Sequence, residues 1–163
     1  MDVTEMEVRA ERLETMRAAH VHAFSEAPEE DAWRKMKAWA MPNGLLEEGS
    51  GTRVFGRNTY PTDNPEPHGY ELFLTIGAEV EPAGAVEIGE IPGGLYAALR
   101  FKNLENMRMV WERLWKWIEE SKHEHAGWKK GEHGWVDGFE ELLNHHEKSQ
   151  NEWVFDLWVR LKE

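Results

Sequence analysis

The sequence contains no cysteine among its 163 residues, which excludes a disulfide framework and a thiol nucleophile. It also lacks any apolar run near the roughly 18 residues that a membrane-spanning helix requires, so no membrane partner is expected. Residues Met1 to Glu7 are acidic and do not have the basic-then-apolar layout of a signal peptide. We therefore expect a cytoplasmic location.

Basic residues are few: 19 Lys and Arg face 31 Asp and Glu, which gives a net charge of −12. Nonspecific nucleic-acid binding depends on Lys and Arg that neutralise phosphates, so nucleic acid is not an expected partner. A negative potential favours cationic ligands through long-range attraction, although the same charge can serve solubility alone. Nine tryptophans are the abundant feature. They indicate either a dense core or a box for flat or cationic ligands.

One helical pattern occurs twice, as Trp33-Arg-Lys-Met36-Lys-Ala-Trp39 and as Trp111-Glu-Arg-Leu114-Trp115-Lys-Trp117. A strand-like run precedes each helix and two more follow it. The sequence therefore predicts an α+β fold with two pseudo-symmetric βαββ repeats in a single domain over 1–163. The repeats cover about 15–77 and 85–163, and a cleft between them is the expected place for a small-molecule pocket.

Periodicity and breaker residues set the expected elements. Residues 1–15 are weakly patterned and are predicted to be a loose lead. Helices are expected after Pro28, ending near Pro42, and over about 105–120. The expected strands are 17–24, 53–60, 70–76, 86–91, 95–101, 138–144 and 153–161. Val86–Ile91 is taken as the opening of the second repeat.

Five segments together form a recognisable pattern: His22-Ala-Phe-Ser-Glu-Ala-Pro-Glu-Glu-Asp-Ala-Trp33, Val54-Phe-Gly-Arg-Asn58, Gly69-Tyr-Glu-Leu-Phe73, Glu87-Ile-Gly-Glu-Ile-Pro-Gly-Gly-Leu-Tyr-Ala97 and Phe139-Glu140. These segments resemble the GyrI-like small-molecule-binding family, whose fold also forms the effector-binding domains of multidrug-responsive bacterial transcription regulators. The resemblance implies a curved antiparallel sheet with helices outside and a central ligand channel. It also implies a stand-alone member that binds lipophilic, cationic or polyaromatic compounds. Some such members instead hydrolyse cyclopropane-bearing genotoxins, and one branch binds and inhibits another protein.

Glu140 is the main candidate for chemistry. The family resemblance places a carboxylate in an aromatic pocket at the position that follows Phe139. A buried carboxylate can neutralise a ligand cation, or act as a general acid or base that activates water. The alternative is an exposed strand carboxylate, and a one-residue shift in register would turn Glu141 inward instead.

The other candidate binding residues follow from faces and from repeat equivalence. Gly56 corresponds to Glu140 in the first repeat and leaves space against the backbone. Glu71 and Phe73 share the strand face opposite the aliphatic one, and Asp156 and Trp158 are their equivalents. Ligand contact is further predicted for Trp33, Asn58, Trp111, Leu142, Trp153 and Trp158. Each of these residues could instead be packing, or belong to a turn or a solvated face.

No metal and no cofactor are expected. The histidines at 123, 125, 133, 145 and 146 lie mostly in a polar loop, and no pair has the helical spacing of a zinc site with an acid between. No Ser-His-Asp order, phosphate-binding glycine loop or dinucleotide fingerprint is evident. The first hypothesis is a receptor for lipophilic cations, as a monomer or homodimer. The second is a hydrolase that uses water activated by Glu140.

Overall fold

The computed structural model describes residues 7–59, 68–126 and 138–163. Two helices and eight strands lie in these ranges. In chain order they are β1 (Arg9–Leu13), β2 (Met16–Ser25), α1 (Pro28–Ala40), β3 (Val54–Thr59), β4 (His68–Thr75), β5 (Glu87–Ile91), β6 (Gly94–Lys102), α2 (Met107–Glu120), β7 (Phe139–Leu142) and β8 (Val154–Arg160). Short 3₁₀ turns occupy Leu104–Asn106 and Gln150–Glu152. No helix in these ranges has the length and apolar character needed to cross a membrane.

The chain divides into two compact units. The described part of the first unit covers residues 15–59 and 68–92, with strands in the order β3-β4-β2-β5. The described part of the second unit covers 7–14, 93–126 and 138–163, with strands in the order β7-β8-β6-β1. Each of these neighbouring pairs is antiparallel. Each unit therefore contains one βαββ repeat with one further strand beside its first strand, which confirms the predicted α+β class.

The helices begin and end as the sequence predicts. Pro28 occupies the first turn of α1 together with Glu29, Glu30 and Asp31, whose charges favour the positive helix end. In α2, the buried side chains Val110, Leu114 and Ile118 recur every four residues and form one apolar stripe. Apolar residues on one side of α1 and of α2 pack each helix against the sheet of its own unit.

The core of the second unit lies between α2 and one face of its sheet, which we call the helix face. The buried residues that meet there are Ala97, Leu99, Phe101, Val110, Leu114, Ile118, Phe155, Leu157, Val159 and Leu161. In the first unit, Leu72 and Leu74 have the strand register of Leu157 and Val159, and α1 packs on β2 and β4 with Ala32 and Met36 buried. The opposite face of each sheet carries Glu71 or Asp156, and we call it the carboxylate face.

The prediction that residues 1–15 form a loose lead is wrong, because Arg9–Leu13 is a strand. This strand pairs with β6 at the edge of the second unit, with Arg9 opposite Ala98 and Leu13 opposite Gly94. Edge strands commonly carry charged side chains that prevent association with other chains. The same charges remove the apolar alternation by which a strand is recognised in a sequence.

The strand at Glu87–Ile91 belongs to the first unit by its pairing, since Met16 to His20 lie opposite it in β2. The sequence assigned this strand to the opening of the second repeat. Its partner is β2, which lies far back in the chain. Local periodicity does not reveal a pairing between strands so distant in sequence. Residues 60–67 and most of the polar loop that carries His123, His125 and His133 lie outside the described residues.

Gly56 is required by packing on the helix face of the first unit. A methyl group built at Gly56 would lie far too close to the hydroxyl oxygen of Tyr70, and 2.6 Å from the ring carbon that bears it. The ring of Tyr70 therefore occupies the space beside this glycine. The prediction that Gly56 leaves room for a ligand is corrected, because a side chain of the protein fills that room.

We expect Gly56→Ala to lower the free energy of unfolding by about 1–3 kcal/mol through overpacking against Tyr70. Urea unfolding of the wild type, both single variants and the double variant Gly56→Ala/Tyr70→Phe measures the effect. Removal of the hydroxyl group should reduce the cost of the alanine. An equal cost in both backgrounds would show that Tyr70 is not the obstacle.

Candidate functional site

The register of β7 and β8 decides which carboxylate lies beside the aromatic side chains of the second unit. Residues that pair directly in an antiparallel ladder share a face, and Phe139 pairs with Trp158 while Glu141 pairs with Asp156. Glu140 pairs with Leu157, which lies in the core under α2. Glu140 is therefore on the helix face and Glu141 is on the carboxylate face. The family resemblance placed Glu140 in an aromatic pocket, but it is Glu141, the alternative that a one-residue shift in register allowed, that shares the face of Trp158.

Glu141 is almost fully buried, with 3% of its surface exposed. Its Oε1 accepts a hydrogen bond from the indole Nε1 of Trp158 at 3.0 Å. The ring of Trp158 is 1% exposed and meets the ring of Tyr96 edge to face, with their centroids 6.0 Å apart. The second unit thus holds a buried carboxylate bonded to one aromatic side chain and close to a second, and this carboxylate is Glu141.

Asp156 lies two positions before Trp158 on the same face and is compensated by arginines of the chain. Arg100 donates from Nε to Oδ1 and from Nη2 to Oδ2, both at 2.9 Å, and Arg9 donates from Nη2 to Oδ2 at 3.0 Å. Burial by itself would raise the pKa of Asp156, but the hydrogen bonds from Arg100 and Arg9 outweigh it and lower the pKa. Asp156 is therefore ionised and already paired.

Glu71 has the equivalent place in the first unit. It accepts from Nε of Arg57 at 2.9 Å and is bonded to Nε2 of His20 at 2.5 Å. Burial acts to raise the pKa of Glu71, and the hydrogen bond of His20 together with the charge of Arg57 lowers it below the ordinary value. Phe73 stands beside it, with Arg57 5.7 Å above its ring and the ring of His20 4.7 Å away.

The register agrees with the predicted facing of both pairs, Glu71 with Phe73 and Asp156 with Trp158. None of the four is more than 5% exposed, so they do not form a solvated sheet face. Both acids are already compensated by Arg and His side chains of the protein. Sequence reasoning missed these cations because their strands are distant in the chain.

The remaining predicted ligand contacts are distributed over the helix side. Trp111, Leu142 and Trp153 pack against the core under α2, and Trp153 donates from Nε1 to the carbonyl oxygen of Glu147 at 2.6 Å. Asn58 pairs with Tyr70 and so shares the face of Gly56. Trp33 lies on α1 with the ammonium group of Lys37 5.6 Å above its ring. The structure therefore brings only Trp158 of the predicted tryptophans into the carboxylate face.

No group of three or more His, Cys, Asp or Glu residues in the described ranges has the geometry of a metal site. His123 stacks on Trp117 and His125 meets Trp115 edge to face, while His145 and His146 contact each other. Burial, followed by the charge of His146, lowers the pKa of His145. His133 lies outside the described residues.

The compensated carboxylates predict a loss of stability in acid. Because the pKa of Asp156 is lower in the folded chain than in the unfolded chain, its contribution is complete above about pH 4, the ordinary range of an aspartate, and is lost as pH falls through the folded value. We expect Asp156→Asn to reduce the free energy of unfolding at pH 7 by about 1–3 kcal/mol. Urea unfolding from pH 7 to pH 3 should show this difference shrinking in acid. Glu11→Gln, an exposed carboxylate on β1, is the matched control and should keep the wild-type profile.

Known structures with this fold cover nearly the whole chain. The C-terminal domain of EcmrR is similar with a TM-score of 0.73 at 8% identity, over 98% of this chain and 99% of that domain. A hydrolase from Listeria innocua has a TM-score of 0.69 at 8% identity, over 96% and 92%. SAV2435 bound to tetraphenylphosphonium has a TM-score of 0.59 at 9% identity, over 96% and 94%. At these identities the likeness shows the fold alone.

This chain spans 58% of the EcmrR chain in its complex with DNA, at 10% identity and a TM-score of 0.69. No curated protein sequence is significantly similar to it. The sequence pattern of the GyrI-like small molecule binding domain, in contrast, matches residues 6–162. The chain therefore belongs to the GyrI-like family of small-molecule-binding domains.

Proposed function

We propose that the chain binds lipophilic cations, including flat polyaromatic ones, and that Glu141 is the group that selects their charge. The observation that carries this proposal is the hydrogen bond from Trp158 to Glu141 in a site where both side chains are at most 3% exposed. A carboxylate held in place among aromatic rings attracts a cation that has left water. The rings at the same time bury the apolar part of such a ligand.

The magnitudes favour a cation over a neutral compound of equal size. A desolvated cation over an aromatic face gains roughly 2 kcal/mol, and a nearby carboxylate adds a direct attraction that a neutral ligand lacks. Water-exposed acids give far less, because solvent screens their charge. Burial of Glu141 is therefore what makes its charge useful for selection.

Two further observations support the ligand class. The net charge of −12 raises the local concentration of cations and opposes binding to phosphate backbones, which argues against a nucleic-acid partner. SAV2435, a protein of the same fold, is bound to tetraphenylphosphonium, a cation with four aromatic rings. We infer a receptor in the cytoplasm that acts as a monomer or a homodimer.

The alternative of cyclopropane opening by water activated at Glu140 is not favoured by the register. Glu140 pairs with Leu157 on the helix face, away from the buried Glu141 and Trp158. Hydrolysis of such compounds would have to use Glu141 instead. Binding is the function that the observed carboxylate and aromatic arrangement supports best.

Isothermal titration calorimetry with tetraphenylphosphonium tests the proposal. We expect Glu141→Gln to bind this cation at least about tenfold more weakly than the wild type, which corresponds to about 1.4 kcal/mol. Glu140→Gln is the matched control, because it removes the same charge one residue away on the other face, and it should bind like the wild type. Tetraphenylborate has the same shape and the opposite charge, and should bind more weakly than the cation.

Two results would contradict the proposal. Equal affinity for tetraphenylphosphonium and tetraphenylborate would mean that charge does not select the ligand. A large loss in Glu140→Gln with none in Glu141→Gln would return the role to the residue that the sequence favoured.

A further inference from the structure

We propose that His20, oriented by Glu71, is a general base on the carboxylate face of the first unit, and that the chain hydrolyses small activated aryl esters there. This inference does not rest on cation binding at Glu141. It concerns a different unit, a different carboxylate and a covalent reaction.

The proton positions on the His20 ring follow from its partner. Both oxygens of Glu71 accept hydrogen bonds, Oε1 from Nε of Arg57 and Oε2 from Nε2 of His20. These partners lower the pKa of Glu71 despite its burial, so the group is an anion that can only accept. Nε2 of His20 must then carry hydrogen. In the neutral ring the lone pair is consequently on Nδ1.

Nδ1 of His20 is available to a reactant. This side chain makes its hydrogen bond through Nε2, and within residues 7–59, 68–126 and 138–163 the ring has no further hydrogen-bond partner. No side-chain nitrogen or oxygen in these ranges is both buried and without a hydrogen bond. Nδ1 therefore reaches solvent, in agreement with the 19% exposure of the side chain.

The ring of His20 lies among apolar groups and close to one cation. The ring of His20 lies 4.7 Å from that of Phe73, and Phe55 pairs with Phe73 on the same face. On the other side, β5 presents Gly89, where a methyl group would lie 2.8 Å from Cβ of His20. The guanidinium group of Arg57 lies above the ring of Phe73 and supplies a fixed positive charge to this face.

These groups support ester hydrolysis with a closed proton balance. Nδ1 of His20 takes a proton from water while the water oxygen bonds to the ester carbonyl carbon, and the anionic tetrahedral intermediate forms on the face that carries Arg57. The intermediate collapses with cleavage of the bond to the aryl oxygen. The imidazolium returns its proton to the leaving aryloxide, which leaves a carboxylic acid, a phenol and neutral His20.

Comparison of the two units shows that the fold does not need an imidazole at this place. His20 pairs with Phe73, and Ala98 pairs with Trp158, the equivalent of Phe73. In the second unit, arginines compensate the buried Asp156 and alanine occupies the position of the histidine. Two arginines satisfy the buried carboxylate of the second unit, whereas one arginine and His20 satisfy that of the first, so the imidazole is a feature of the first unit alone and not a requirement of the fold.

Release of 4-nitrophenolate from 4-nitrophenyl acetate by the full chain measures the activity. We expect His20→Ala, the residue present in the equivalent position, to reduce the enzymatic rate at least about tenfold. His22→Gln is the matched control, because His22 is an exposed histidine two residues along the same strand, and it should keep the rate. His20→Gln gives a second variant that retains a hydrogen-bond donor for Glu71, should His20→Ala fail to fold by circular dichroism.

Glu71 is a positioning residue in this scheme, and the separate values of kcat and KM distinguish that role from a structural one. Glu71→Gln removes the anion that holds the Nε2–H group of His20, so kcat should fall while KM for the ester stays close to the wild-type value. Asp156→Asn removes the equivalent carboxylate of the other unit and should leave both kcat and KM unchanged.

Three results would overturn the inference: no hydrolysis above buffer by the wild type, an undiminished rate in a folded His20 variant, or an equal loss in His22→Gln. An equal loss in His22→Gln would show that exposed histidines in general react with the ester. A chain that binds tetraphenylphosphonium and does not hydrolyse the ester would refute this inference and leave the proposed function standing. A chain that hydrolyses the ester and does not bind tetraphenylphosphonium would refute the proposed function and leave this inference standing.

Discussion

A carboxylate stays buried in a sheet only while N–H donors and cations remain within hydrogen-bonding distance. Asp156 on β8 is held by Arg100 on β6 and by Arg9 on β1. Glu71 on β4 is held by Arg57 on β3 and His20 on β2. Each acid therefore links three strands of its own unit. A shift of any of these strands by one residue would leave a buried charge uncompensated, so these contacts fix the register from which the placement of every other site residue follows.

The two units use one plan with different side chains. Phe73 and Trp158, Phe55 and Phe139, and Glu71 and Asp156 are equivalent by strand pairing. The residues around them differ: the first unit has Arg57 where the second has Glu141, and His20 where the second has Ala98. An arginine in one unit and a glutamate in the other give the two carboxylate faces opposite charge at the same position. The two units thus share one scaffold, and their different side chains give each face its own chemistry.

The sequence predicts both helices well. Tryptophan, methionine and leucine recur on one helical face, and Pro28 with the acidic residues after it indicates where α1 begins. It predicts the facing of Glu71 and Phe73 because strict alternation is visible in that strand. The sequence does not predict β1, because the charged residues of this edge strand mask its alternation. It also does not predict that β5 pairs with β2, because the two strands are distant in the chain. Glu140 and Glu141 are adjacent, so a shift of one residue in the register of β7 exchanges their faces. Only the pairing of Glu140 with Leu157 and of Glu141 with Asp156 shows which of the two lies on the carboxylate face. The arginine and histidine partners of the buried acids come from other strands, so no local pattern reveals them.

Strands β1 and β5 each precede one repeat and pair with the other: β1 leads into β2 but joins β6, and β5 leads into β6 but joins β2. Neither unit is consequently a continuous stretch of chain. During synthesis the first strand emerges long before its partner, and its edge stays unpaired until β6 at Gly94–Lys102 has been made. The strand carries the charged residues Arg9, Glu11 and Arg12. These charges keep its unpaired edge from pairing with neighbouring nascent chains until β6 is available.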